Sequence, residues 1–151
     1  MMKKLSILSL SLILLLLVAC GAKTVSIDPS ALASDLMENL TFQDSLYQLD
    51  AATAQSLFAL DESTACVAYA GTGATSEELA VFTTADKTAA TALITALQKR
   101  LDERIEGYKN YLPEEVDKLN HAVLQQEGNY VIFCVAKDVS NAKDVIASYL
   151  N

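Results

Sequence analysis

Tyr130-Val131-Ile132-Phe133-Cys134-Val135-Ala136 is the most apolar run of the chain outside its N-terminus. Aromatic and β-branched residues dominate it, and no polar residue interrupts them. A strand with one wet face alternates apolar and polar residues, so a run without alternation reads as a central, well-covered strand. Immediately upstream, Glu127-Gly128-Asn129 signals a tight turn, and Ala122-Val123-Leu124 opens a partner strand. A second pair of runs lies earlier. Ala65-Cys66-Val67-Ala68-Tyr69 and Leu79-Ala80-Val81-Phe82-Thr83 are joined by Gly71-Thr72-Gly73-Ala74-Thr75-Ser76. Two short apolar runs around a Gly-rich segment predict an antiparallel hairpin with a longer loop.

The helices fit around these hairpins. Between them, Leu93, Leu97, Leu101, Ile105, Tyr108 and Leu112 step by three or four residues, while Gln98, Lys99, Asp102, Glu103, Glu106 and Lys109 take the other side. The spacing predicts a long amphipathic helix capped by Asp86 and running to about Leu112, weakened locally at Gly107. Pro113 breaks or restarts it, and Glu114 and Glu115 suit a first turn. Near the start, Asp28 is a good N-cap, Pro29 fits the first helical position, and Leu32, Leu36 and Leu40 share one face. Asp50 caps a short helix over residues 51–59, and a last helix spans Val139 to Leu150. The main order is α, β, β, α, β, β, α. It predicts a two-layer α+β domain: an antiparallel sheet of about four strands (a ββαββα core), helices packed on one face, and an N-terminal helix in front.

The N-terminus reads differently. Lys3 and Lys4 precede an apolar run from Leu5 to Ala19, broken only by serines. A basic start, a short apolar core and a small residue at its end make a secretory signal. The run is shorter than the ~20 residues of a spanning helix. Leu17-Val18-Ala19-Cys20 resembles the bacterial lipobox, which implies cleavage between Ala19 and Cys20 and diacylation of the Cys20 thiol. Two acyl chains hold a protein stably at a bilayer, whereas one does so only marginally. The expected organisation is a lipoprotein signal peptide over residues 1–19, a lipidated cysteine and tether over 20–28, and a single α+β domain over 29–151. The expected address is the extracytoplasmic face of the cell membrane.

Charge narrows the partners. The 151-residue chain carries a net charge of −8. Without residues 1–19 the remaining 132 residues hold nine Lys and Arg against nineteen Asp and Glu, a net charge of −10. That balance argues against a nucleic acid or an anionic bilayer held through a basic patch. Cys66 and Cys134 both sit in strand-like apolar runs. Export permits a disulfide between them, and burial as free thiols is the simpler reading. No Cys-x-x-Cys spacing points to a metal knuckle or a redox motif.

Catalytic chemistry finds little purchase. His121 is the only histidine, and no nucleophile motif accompanies it, so a Ser-His-Asp or Cys-His arrangement lacks its parts. One histidine and no exposed cysteine pair argue against a zinc site, and neither cofactor nor metal is expected. Asp61-Glu62, Glu77-Glu78, Asp102-Glu103 and Glu114-Glu115 are adjacent acidic pairs. Adjacent side chains diverge rather than converge on one atom, and these pairs read as solvated charge. Gly71-Thr72-Gly73-Ala74-Thr75-Ser76 has two glycines at alternate spacing, with Ser76 where a dinucleotide fingerprint needs a third. It leads into a strand rather than a helix, which removes the helix-dipole part of phosphate binding. It reads as a hairpin loop, and Gly71, Thr72, Gly73, Thr75 and Ser76 are the candidate partner-binding residues, since rim loops often carry function.

Three stretches together resemble a known family: Gly73-Ala74-Thr75-Ser76-Glu77-Glu78-Leu79-Ala80-Val81-Phe82, Tyr111-Leu112-Pro113-Glu114-Glu115 and Gly128-Asn129-Tyr130-Val131-Ile132. They resemble small bacterial lipoproteins grouped as domain of unknown function 4358. The resemblance runs from about Pro29 to Leu150, in addition to the lipobox, and implies a lipoprotein on the extracytoplasmic face. It brings no activity, ligand or site residue. The leading expectation is a non-catalytic binding or protein-interaction module, held in the membrane by a diacylglyceryl cysteine and contacting an envelope protein or a small extracellular ligand. The alternatives are a carboxylate-based envelope hydrolase and a structural subunit of a membrane complex.

Overall fold

A computed structural model describes residues 25–150; the cleavage and lipidation positions Ala19 and Cys20 lie outside them. The elements are α1 (Pro29–Asn39), β1 (Tyr47–Gln48), α2 (Ala51–Phe58), β2 (Ala65–Ala70), β3 (Glu78–Thr83), α3 (Lys87–Tyr108), α4 (Pro113–Asn120), β4 (Val123–Glu127), β5 (Tyr130–Val135) and α5 (Ala142–Ser148). All strand pairs are antiparallel, in the order β1-β2-β3-β5-β4. None of the described helices is long and apolar enough to cross a membrane.

The predicted α+β class and antiparallel sheet are present, with two differences. The short strand β1 pairs Tyr47 with Ala70 and adds a fifth strand. Helices also cover both faces of the sheet rather than one. Successive strand residues point to opposite faces. Leu79 and Val81 of β3, with Ile132 and Cys134 of β5, pack against Leu32, Ala33 and Leu36 of α1 and Ala142 and Ile146 of α5. Their neighbours Ala80, Phe82, Val131, Phe133 and Val135 pack against Ala54 and Phe58 of α2, Leu97 and Leu101 of α3 and Leu119 of α4. The sheet is therefore the middle of three layers. Every residue of β5 after Tyr130 is buried, which accounts for its unbroken apolar run. Phe58 meets Phe82 edge-on, with ring centroids 5.2 Å apart, inside the preferred range for aromatic pairs.

The helix starts follow capping chemistry. The Asp28 carboxylate accepts the N–H groups of Ser30 and Ala31 at 2.9 and 3.1 Å. Asp50 and Asp86 accept from Thr53 and Ala89 at 3.0 and 2.8 Å. Each bond satisfies a first-turn donor that has no partner within the helix. The long helix ends at Tyr108 rather than Leu112, and Pro113 opens α4. In the β4–β5 hairpin, Glu127 pairs with Tyr130 around Gly128 and Asn129. Gly128 has φ +61°, the left-handed backbone that a two-residue hairpin turn needs and glycine supplies at least cost.

Ala59 closes α2 with φ 51° and ψ 46°, left-handed without being glycine. Its Cβ is strained there by about 1–2 kcal/mol. Ala59→Gly is therefore expected to raise stability by roughly 1 kcal/mol after the unfolded-state entropy of glycine is subtracted, read as a later midpoint in urea denaturation.

Candidate functional site

The β2–β3 loop, the start of β3 and helix α4 meet at one end of the sheet, and there the sequence's charges go under cover. Glu77 and Glu78 are adjacent, so the strand sends them to opposite sides. The Glu77 side chain is fully buried. Its Oε2 accepts the backbone N–H groups of Gln43 and Asp44, both at 2.8 Å, and Lys118 Nζ stands 3.5 Å away. Glu78, 4% exposed, accepts from the guanidinium groups of both Arg100 and Arg104. Those arginines are one turn apart on α3, which puts them side by side on its surface. Arg100 also lies over the Phe58 ring, 4.9 Å from its centroid. Arg104 donates to the Ser76 carbonyl at 3.0 Å.

Glu115, in the first turn of α4, completes the cluster. One oxygen accepts both the N–H and the hydroxyl of Ser76 at 2.7 Å. The other accepts from Lys118 at 2.9 Å, one turn further along. Lys118 thus serves two buried carboxylates, Glu77 and Glu115. The reading of Glu77, Glu78 and Glu115 as solvated charge is corrected: all three are buried, because each has cationic or N–H partners that replace water. Glu114, Glu62, Asp102 and Glu103 do face solvent. A faint signal existed in the spacings: Arg100 and Arg104 at i, i+4, and Glu115 and Lys118 at i, i+3, lie on two helices. Spacing alone does not show the tertiary partners that bury them.

This cluster supports the candidate loop. Ser76 is buried and fixed at both its N–H and its carbonyl. Thr72 donates its N–H and hydroxyl to the Asp44 carboxylate at 2.9 and 3.0 Å. A Cβ on Gly71 would collide with that carboxylate, so a side chain at 71 displaces the contact. Thr72, Gly73 and Ala74 remain exposed between these two anchors. The five candidate residues therefore form one rigidly based loop with an open tip. Tyr47, 63% exposed, pairs with Ala70 beside the loop, and Tyr111, 78% exposed, precedes α4 at the same end.

Ionisation follows the packing. Burial alone pushes Glu115 up, but the Ser76 N–H, the Ser76 hydroxyl and the Lys118 ammonium together hold it below its ordinary value of 4.5. A carboxyl whose folded pKa is depressed contributes stability that is complete above its unfolded pKa and is lost as the pH falls through the folded one. Thermal stability should stay level from neutral pH down to about 4.5 and fall below it, and Glu115→Gln should lower the plateau and flatten the acid limb. Cys66 is free and its thiol is pushed up by burial to about 12. Cys134 is free, and burial, then the Glu77 and Glu78 charges, push it up as well. The two thiols lie on strands separated by β3 and on opposite faces of the sheet, so they cannot approach each other. His121 caps the end of α4 on the surface, its Nδ1 2.8 Å from the Asp117 carbonyl. Among the described residues no group of three or more His, Cys, Asp or Glu side chains could hold a metal ion.

Comparison with curated proteins and with solved structures finds no match. A family model, described as Domain of unknown function (DUF4358), matches residues 38–136. That span runs from the end of α1 through β5 and holds the whole buried charge cluster and the loop it anchors. The chain belongs to the DUF4358 family.

Proposed function

We propose that the chain is a lipoprotein anchored on the extracytoplasmic face of the cell membrane through a diacylated Cys20, and that its domain is a non-catalytic binding module. The recognised partner is an envelope protein or a small extracellular ligand, met by the loop at Gly71–Ser76 with Tyr47 and Tyr111 beside it.

One observation carries this reading: the two ends of the domain lie apart. Val25, the first described residue after the tether, packs on the core beside the Gly128 turn. The candidate loop sits at the opposite end of the strands, where Ala70, Glu78 and Val135 line up. Six-residue strands separate the two ends by about 20 Å. Cys20 is five residues before Val25, a reach of at most about 17 Å. A lipid on Cys20 therefore brings the hairpin end near the bilayer and turns the loop outward. Exposed tyrosine beside a rigidly based loop suits recognition, because tyrosine is enriched in interfaces and loses little entropy on binding. Glu115 bears against the hydrolase alternative: a carboxyl held low by Ser76 and Lys118 is a poor general acid at neutral pH.

The test is photo-crosslinking in intact cells, with a photoreactive residue in place of exposed Ala74 at the loop tip or exposed Glu62 at the hairpin end. A discrete adduct from position 74, absent from position 62 and lost with Cys20→Ala, is expected. Equal labelling from both positions, or none from 74, would sink the reading.

A further inference from the structure

A second surface lies along the free edge of the sheet. β4 is an edge strand. Its two-residue turn makes Glu127 and Tyr130 a hydrogen-bonded pair, and such pairs alternate along an antiparallel ladder. Gln125–Ile132 and Val123–Cys134 are the other bonded pairs, so the N–H and C=O groups of Leu124 and Gln126 point away from β5. No backbone bond outside the ladder takes them up. Natural edges of this kind are usually blunted by proline, a bulge or lysine; β4 reads Val-Leu-Gln-Gln-Glu and has none of them.

Beside this edge runs a groove. Its first lobe, of about 450 Å³, lies between residues 121–125 and the segment holding Val139, Ser140 and Lys143. A second lobe of about 340 Å³ shares His121, Val139 and Ser140 with it and extends to Lys118 and Lys137. Charge sets the groove apart from the rest of an acidic domain. Lys99, Arg100, Arg104, Lys109 and Lys118 each pair with a carboxylate. Of the other cations among the described residues, Lys87 at the start of α3 and Lys137 and Lys143, which line the groove, have no ion-pair partner, so two of these three gather here. The lobe along β4 holds His121 and Lys143 and no carboxylate, while Asp117 and Asp138 are confined to the second lobe.

We propose that β4 binds an extended acidic segment of another protein by strand addition. The main chain of that segment pairs with Leu124 and Gln126, and every second side chain enters the groove, where an Asp or Glu meets Lys143. Main-chain bonds supply affinity in this mode and alternate side chains supply specificity. The surface is separate from the β2–β3 loop and does not depend on the lipid anchor.

The probe is a library of random ten-residue segments displayed on phage and selected on the purified full chain, followed by amide hydrogen exchange with a selected peptide. Selected sequences should alternate apolar residues with Asp or Glu and should slow exchange at Leu124 and Gln126. Lys143→Glu should weaken binding about tenfold, with the circular dichroism of the fold unchanged. Leu124→Pro, which removes an outward donor, should abolish protection. If that variant fails to fold, Lys143→Glu still decides the matter. Selection without acidic bias, protection elsewhere, equal affinity for Lys143→Glu, or no enrichment overturns the proposal. Protection that appears without peptide and grows with protein concentration also overturns it, because it identifies a second copy of the chain as the occupant.

Discussion

Lys118→Met is expected to destabilise the fold by about 3–5 kcal/mol, the usual cost of removing one member of a buried ion pair. Lys118 is 9% exposed and stands between Glu115 at 2.9 Å and Glu77 at 3.5 Å. Methionine fills the space of the lysine stem but leaves two carboxylates facing each other in a water-poor site. Glu77 keeps the Gln43 and Asp44 N–H groups, and Glu115 keeps Ser76. Neither retains a countercharge, so at least one must take up a proton or open the site. Adding Glu115→Gln removes one of the stranded charges and keeps an acceptor for Ser76. The double variant should therefore be more stable than Lys118→Met alone. Urea denaturation of the single and double variants measures this. A single-variant loss below about 1 kcal/mol would mean that the cluster is solvated despite its burial.

Glu78→Ala is expected to cost about 3 kcal/mol on the other face of the sheet. Its carboxylate is the shared partner of Arg100 and Arg104, and alanine leaves two guanidinium groups side by side. Their side chains are each 20% exposed, so water relieves part of the repulsion and places the cost at the lower end of the range. Arg104 retains the Ser76 carbonyl, whereas Arg100 retains no hydrogen-bond acceptor and only the Phe58 and Phe133 rings. Glu78→Gln keeps an acceptor without the charge and should lose less. Because Arg104 also fixes Ser76, Glu78→Ala should speed amide exchange in the β2–β3 loop, a response that a remote core substitution of equal cost would not produce.

Strand and helix placement could be read because local chemistry decides it. Asp28, Asp50 and Asp86 cap the helices they precede, and Gly128 turns the hairpin that its flanking residues announce. The Tyr130–Ala136 run also holds the third layer: a strand with no polar alternation needs cover on both faces. β1 could not be read because two residues, Tyr47 and Gln48, give no period; pairing with Tyr69 and Ala70 alone defines it. The loop Gly71–Ser76 could be found from its turn residues, but its supports could not. Asp44, Glu115, Arg104 and Lys118 lie 28 to 41 positions from their partners at Thr72, Ser76 and Glu77, and no spacing rule reaches that far. The burial of Glu77 and Glu78 is hidden from the sequence for the same reason. An adjacent acidic pair looks solvated until the strand sends its members to opposite faces, each toward its own cations.

The anchor is tested by mass spectrometry of the N-terminal peptide of the chain purified from cell membranes. The expected species begins at Cys20, carries a diacylglyceryl group on the thiol, and contains none of residues 1–19. A chain that retains residues 1–19, or one that begins at Cys20 with an unmodified thiol, would contradict the membrane-anchored binding module.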